Sequence, residues 1–311
     1  MKKIIALGLL CLCLISPAFA ERPVKVGTWK TAQTIQPFFY GDYTSRDIEI
    51  LSFTNPADQK TALLAGNLSM CGTTLAHAIH SASQGQPVVL VASLCNRCSA
   101  LVVRKDGPVE KVSDLKGKKI GYVPGTMHEI LLRETLSRNG LSPDRDVTLV
   151  RIDFFDMGTA LARGSIDGFL SGEPFPTIAV TEGYGRILSY PYYDDSVGTI
   201  NAGMLVTEET VRENPELVLD LVRGHAMATE SLKANLDLWF KKAVSFGTER
   251  SVMEEASSNI ELSWDMDEAF VKRAKALGAR MEALGVIDRQ PDYERLFDLS
   301  FVKKVKEERG L

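Results

Sequence analysis

Six short clusters in this chain carry side chains able to grip a small molecule, and each follows an apolar, strand-like run. Gly125-Thr126-Met127-His128 would open a helix. Unpaired N–H groups and the positive end of the helix dipole suit an anion there, with the Thr126 hydroxyl and the His128 ring as further donors. The same residues also fit an ordinary threonine cap. Thr73 and Thr74 offer similar hydroxyls just after Cys71. Glu173, before Pro174 at another helix start, presents a carboxylate that could accept hydrogen bonds from an amine, amidine or aminopyrimidine. Its charge also suits the helix dipole. Trp29 could form a flat wall attractive to apolar or cationic groups, or serve as core. Cys71 at a strand end, with Gln33, Asn96 and Phe154 in loops after strands, completes the candidate ligand-binding set.

The remaining reactive side chains point to no second chemistry. His77 and His80 stand three residues apart on one helix face, but no nearby acidic pair completes a hard-metal set, so neither metal nor cofactor is expected. No serine–histidine–acid order, phosphate loop or paired acids form a convincing catalytic site, and no catalytic residue is assigned. Cys71, Cys95 and Cys98 leave three readings open. One is a disulfide, between Cys95 and Cys98 or from Cys71 to either, with one thiol left over; the others are buried thiols and a soft-metal site.

The elements that must hold these residues in place are legible through an internal repeat at an offset of 98 residues. Thr61-Ala-Leu-Leu-Ala-Gly-Asn-Leu-Ser69 reads against Thr159-Ala-Leu-Ala-Arg-Gly-Ser-Ile-Asp167. In both copies a helix stops at a glycine, where a left-handed cap is cheap, and a short apolar strand follows. Asn55-Pro56 caps the first of these helices, and Thr73 or Thr74 opens the next. Strands alternate with helices of ten or more residues, which implies mostly parallel sheets covered on both faces. The expected architecture is α/β and two-lobed, with crossings near Arg104 to Pro108 and near Ser196 to Gly203. Residues 21–105 plus 200–311 would form the first lobe with a helical tail, and 106–199 the second. In open α/β sheets ligands bind beyond the carboxyl ends of strands, which is where the six clusters fall.

The ends and composition narrow the function classes. Lys2 and Lys3, the apolar run Ile4 to Ile15 and Ala18-Phe19-Ala20 read as a signal peptide over residues 1–20, cut before Glu21. That run falls short of the ~20 residues a spanning helix needs, and no later segment reaches it. Export to the periplasm is therefore expected, and the rest of the chain then carries a net charge of about −6 with no basic run, against a nucleic-acid partner.

Ala62-Leu-Leu-Ala-Gly66, Asp114-Leu-Lys-Gly-Lys-Lys119, Gly125-Thr126, Ala160-Leu161 with Gly164 and Asp167, and Glu173-Pro174 follow one another in an order and spacing with a known counterpart. The chain resembles the type II periplasmic solute-binding proteins of the sulfonate, taurine, nitrate and thiamine-precursor group. That resemblance implies a monomer that closes its lobes on a small ligand and delivers it to the permease of an ABC transporter. Sulfonates, zwitterions and aminopyrimidine-like molecules are the ligands in view. Enzymes of the same fold, of the thiamine-pyrimidine or menaquinone pathways, and a sensor subunit for a membrane kinase are the alternatives. Ser69-Met-Cys-Gly72 and Cys95-Asn-Arg-Cys98 depart from the group's pattern.

Overall fold

The computed structural model describes residues 23–311 apart from 55, 194–196 and 198. The expected signal peptide, the Asn55 cap and part of the return segment at Ser196 lie outside the described residues. Eleven strands form two sheets among those described. The first sheet contains β1 (Val24–Trp29), β2 (Ile48–Phe53), β3 (Met70–Thr74), β4 (Val88–Arg97), β10 (Ala202–Thr207) and β11 (Glu261–Leu262). The second contains β5 (Ser99–Arg104), β6 (Lys119–Tyr122), β7 (Thr148–Arg151), β8 (Gly168–Gly172) and β9 (Gly185–Ser189).

The two sheets share a plan. Their orders are β2-β1-β3-β10-β4-β11 and β7-β6-β8-β5-β9. In each, three parallel strands are followed by an antiparallel one, β10 beside β3 and β5 beside β8. The sequence repeat is reproduced at the level of single backbone bonds. Ser69 donates its N–H to Lys25 at 2.8 Å, and Asp167, 98 positions on, donates to Lys119 at 2.8 Å. Gly66 and Gly164, which end the preceding helices, both take the left-handed conformation, with φ of 74° and 72°.

One expectation changes. The chain passes from the first sheet to the second at Cys98, because Ser99–Arg104 pairs with β8 and β9. The crossing is therefore ahead of Arg104 to Pro108, and Val102-Val103 is interior to the second sheet. The reason is the antiparallel fourth strand, which each sheet draws from the crossing segment itself.

Helix Met127–Arg138 of the second half packs inward, with Met127, Ile130, Leu131, Leu132 and Leu136 fully buried in the cluster that also holds the first sheet. An ion pair from Arg280, in helix Glu268–Ala283, to buried Glu134 closes the same side. Around the first sheet, the buried tail side chains Trp239, Phe270 and Phe301 make the C-terminal helices part of that core.

Candidate functional site

Between the sheets lies a cleft lined from both. Its first-sheet wall begins with the turn after β1. Thr28 Oγ1 donates to the Thr34 carbonyl (2.7 Å), Thr34 Oγ1 to the Trp29 carbonyl (3.1 Å), and the Thr31 and Thr34 hydroxyls meet at 2.8 Å. These bonds fix a tight turn that brings Trp29 and Gln33 to the cleft. Gly72 makes room for the indole: a Cβ there would lie 3.3 Å from the Trp29 ring.

The opposite wall comes from the second half. His128, Phe154, Phe155, Ser171, Gly172 and Phe175 line it. The Phe155 and Phe175 rings meet edge to face, as do His128 and Phe154. The floor is made where the chain changes sheets, by Cys98 and by Asn201-Ala202. Trp29, Phe154, Phe155 and Phe175 thus surround the space, and among the described residues none that lines it is Asp, Glu, Lys or Arg.

The polar side chains that line this space are neutral, and three of them carry an unpaired atom. Trp29 Nε1, Gln33 Oε1 and Ser171 Oγ are buried without a hydrogen-bond partner. Buried polar groups are ordinarily paired, and three unpaired ones on residues lining one cleft leave partners for a ligand's polar edge. His128 is 4 % exposed, and burial pushes its pKa down to about 4, so the ring is neutral at pH 7.

Of the residues expected at the site, Trp29, Gln33, Thr74, His128 and Phe154 line the cleft. The others do not, each for a local reason. At the helix start that should have held an anion, Glu129 Oε2 accepts the Gly125 N–H (2.7 Å), while Thr126 Oγ1 accepts the Glu129 N–H and donates to the Val123 carbonyl. The chain's own carboxylate satisfies the dipole, Thr126 is fully buried, and Met127 faces the core. Thr73 is buried in β3 opposite Gly203. Asn96 is engaged with Ser93 and Glu261. Cys71 is fully buried in β3, beside Gly27 of β1.

Glu173 is also a correction. Its Oε1 accepts from Asn259 Nδ2 (3.0 Å) and its Oε2 from the Thr177 N–H (3.2 Å), and it is 1 % exposed. Burial raises its pKa, opposed by those hydrogen bonds. The Tyr192 hydroxyl donates to Asn259 Oδ1 (2.7 Å), so Glu173 and Tyr192 tie the second half to the tail beside the cleft.

The cysteines are all thiols in this structure, and all are buried. A bridge from Cys71 to Cys95 is excluded by topology: β10 lies between β3 and β4, so their strands stand roughly 9–10 Å apart, beyond the ~7 Å that a disulfide spans. Cys95 and Cys98 do meet, side chain to side chain. Among the described residues, no group of three metal-binding side chains gathers. Cys98, rather than Cys71, borders the cleft. Sequence reasoning misses Thr34, Phe175, Asn201 and Ala202. The last two lie in the return segment that leads into β10, so attention to both crossings would have found them.

Residues 46–236 match the family model described as NMT1/THI5 like. The chain belongs to the NMT1/THI5-like family. A relative in Schizosaccharomyces pombe, named 4-amino-5-hydroxymethyl-2-methylpyrimidine phosphate synthase, is 33 % identical over 147 residues, covering 45 % of this chain and 42 % of that protein. The match thus spans less than half of that curated relative. A Brucella abortus protein, provisionally named a binding protein, is 28 % identical over 243 residues, covering 74 % of each chain. In fold, this NMT1/THI5-like chain superposes on the alkanesulfonate-binding protein of Xanthomonas axonopodis bound to MOPS with a TM-score of 0.80. That pair is 17 % identical, with 89 % of this chain and 98 % of the other covered. The architecture is the two-lobed one of ABC-transporter solute-binding proteins.

Proposed function

We propose that this NMT1/THI5-like protein is an extracytoplasmic solute receptor that closes its two lobes on a small, neutral, flat nitrogen heterocycle of the aminopyrimidine kind and delivers it to an ABC permease. The observation behind this reading is the cleft's lining among the described residues: four aromatic rings, unpaired neutral donors and acceptors, and no charged side chain. A sulfonate or phosphate buried there would lose its hydration without a countercharge, a cost of several kcal/mol. An aminopyrimidine loses less, and its ring nitrogens and amino group complement the Trp29 N–H and the Gln33 carbonyl oxygen. We place the first lobe at residues 23–97 and 200–311 and the second at 99–199, with the changes of sheet as hinges.

The name of the S. pombe relative favours a second reading, synthesis of a pyrimidine phosphate. Among the described residues no cationic side chain lines the cleft, which counts against holding a phosphate there. Native mass spectrometry of protein purified without refolding tests both. A receptor should release one unchanged heterocycle on denaturation. An anion, or a product formed from an added precursor, would contradict the receptor reading.

A further inference from the structure

His128 faces the cleft with one ring nitrogen and faces a built network with the other. Its Nδ1 lies 3.0 Å from Ser99 Oγ, and Asn201 Nδ2 donates to the same Oγ at 3.2 Å. Ser99 is the first residue of β5, at the outgoing change of sheet, and Asn201 precedes β10, at the return. On the cleft side, a Cβ built on Gly172 would fall 3.2 Å from His128 Nε2 and 3.0 Å from Gln33 Nε2. The absence of a side chain at 172 therefore leaves both groups open to the cavity.

Proton counting decides what His128 offers. A serine hydroxyl has one proton and accepts through its lone pairs. Asn201 donates to one lone pair of Ser99 Oγ, and among the described hydrogen bonds His128 Nδ1 is the acceptor available to the hydroxyl proton. A neutral imidazole whose Nδ1 accepts must carry its proton on Nε2. We propose that Ser99 and Asn201 are positioning residues that fix His128 in the Nε2–H form, making it a dedicated hydrogen-bond donor to the ligand.

This inference deepens the receptor reading and rests on it for the ligand, but the tautomer itself is a property of the empty protein. The ligand edge it selects is specific. The Trp29 N–H and the His128 Nε2–H as donors and Gln33 Oε1 as acceptor call for two acceptors and one donor on the ligand, with the Ser171 hydroxyl able to serve either role. A ring with two nitrogens and an exocyclic amine satisfies all three. Because Ser99 and Asn201 sit on the two connecting segments, the orientation of the donor is tied to the relative placement of the lobes.

The test is a long-range ¹H–¹⁵N correlation spectrum of the ¹⁵N-labelled full chain at pH 7, with the His128 signals assigned by their loss in His128→Gln. The expected spectrum shows a protonated Nε2 and an unprotonated Nδ1 at His128. A protonated Nδ1 would overturn the proposal, since Ser99 Oγ would then accept from His128 rather than donate to it. In Ser99→Ala the two tautomers should mix; an unchanged pure Nε2–H signal would remove Ser99 from the positioning role. Calorimetry with 4-aminopyrimidine adds a second readout. His128→Gln, whose terminal amide nitrogen can occupy the place of Nε2, should bind within about threefold of the original, and His128→Asn about tenfold weaker or worse; equal losses would contradict a donor at Nε2. If 4-aminopyrimidine fails to bind the unsubstituted protein, the ligand assignment falls, and the spectrum alone decides the tautomer.

Discussion

At the scale of single residues, the site works through neutral groups whose partners have been withheld. Trp29 contributes both a wall and a donor, and the two can be separated. Trp29→Phe keeps an aromatic wall and loses the N–H, so affinity for an aminopyrimidine should fall about tenfold, the ~1–1.5 kcal/mol of one hydrogen bond. Trp29→Ala should lose considerably more; equal effects of the two in calorimetry would reduce Trp29 to a donor alone. Glu173 acts in another way. Because it binds Asn259 and the Thr177 N–H rather than the cavity, Glu173→Gln should act on closure and stability, leaving the ligand's own hydrogen bonds in place. The cysteines yield to simple counting. Protein unfolded without reductant should titrate three thiols, from Cys71, Cys95 and Cys98. A count of one would show a Cys95–Cys98 bridge, the pair whose side chains touch.

At the scale of elements, much of the design is legible in the sequence because backbone punctuation is local. Gly66 and Gly164 signal helix ends whatever surrounds them, and the repeat they frame correctly matches β3 with β8. The rule that ligands sit at strand ends then locates Trp29, Gln33, Thr74, His128 and Phe154. It fails where tertiary partners intervene. Nothing in the strand-end rule indicates that Glu129 turns back on its own helix start, though a Thr followed by Glu at the third position is a familiar capping arrangement. Asn259, in the distant tail, is what occupies Glu173, and no local pattern could reveal that partner. Glycines support the most direct prediction among the elements. In Gly172→Ala the new methyl group would press on both Gln33 and His128, so ligand affinity should fall at least tenfold while the circular dichroism spectrum is kept. Undiminished binding would move the ligand away from β8.

At the scale of the whole molecule, buried histidines set the response to acid. Burial pushes His77, His128 and His225 down to about 4 from an ordinary 6.5. His225 is held neutral between the Tyr40 hydroxyl on Nδ1 and the Ser93 carbonyl on Nε2. The unfolded chain therefore takes up protons below pH 6.5 that the folded chain refuses until about pH 4, and stability falls as pH drops through that window. Each group contributes about 1–3 kcal/mol at full effect. Glu173 opposes them, because its raised carboxyl gains protons more readily in the folded state. Three histidines against one carboxyl predict a lower thermal midpoint at pH 4.5 than at pH 7. A midpoint that holds or rises would mean that the histidines are more hydrated than the structure places them. Closure belongs to the same scale, since a ligand touching Trp29 and Gln33 on one side and His128 on the other favours the closed form over the open one. The receptor reading depends on the space between the lobes taking a neutral planar heterocycle. Calorimetric titration of one protein sample, with 4-aminopyrimidine and with an alkanesulfonate in parallel, decides that point. The expected result is saturable one-to-one binding of the aminopyrimidine and no heat of binding from the sulfonate; saturable sulfonate binding with none from the aminopyrimidine would contradict it.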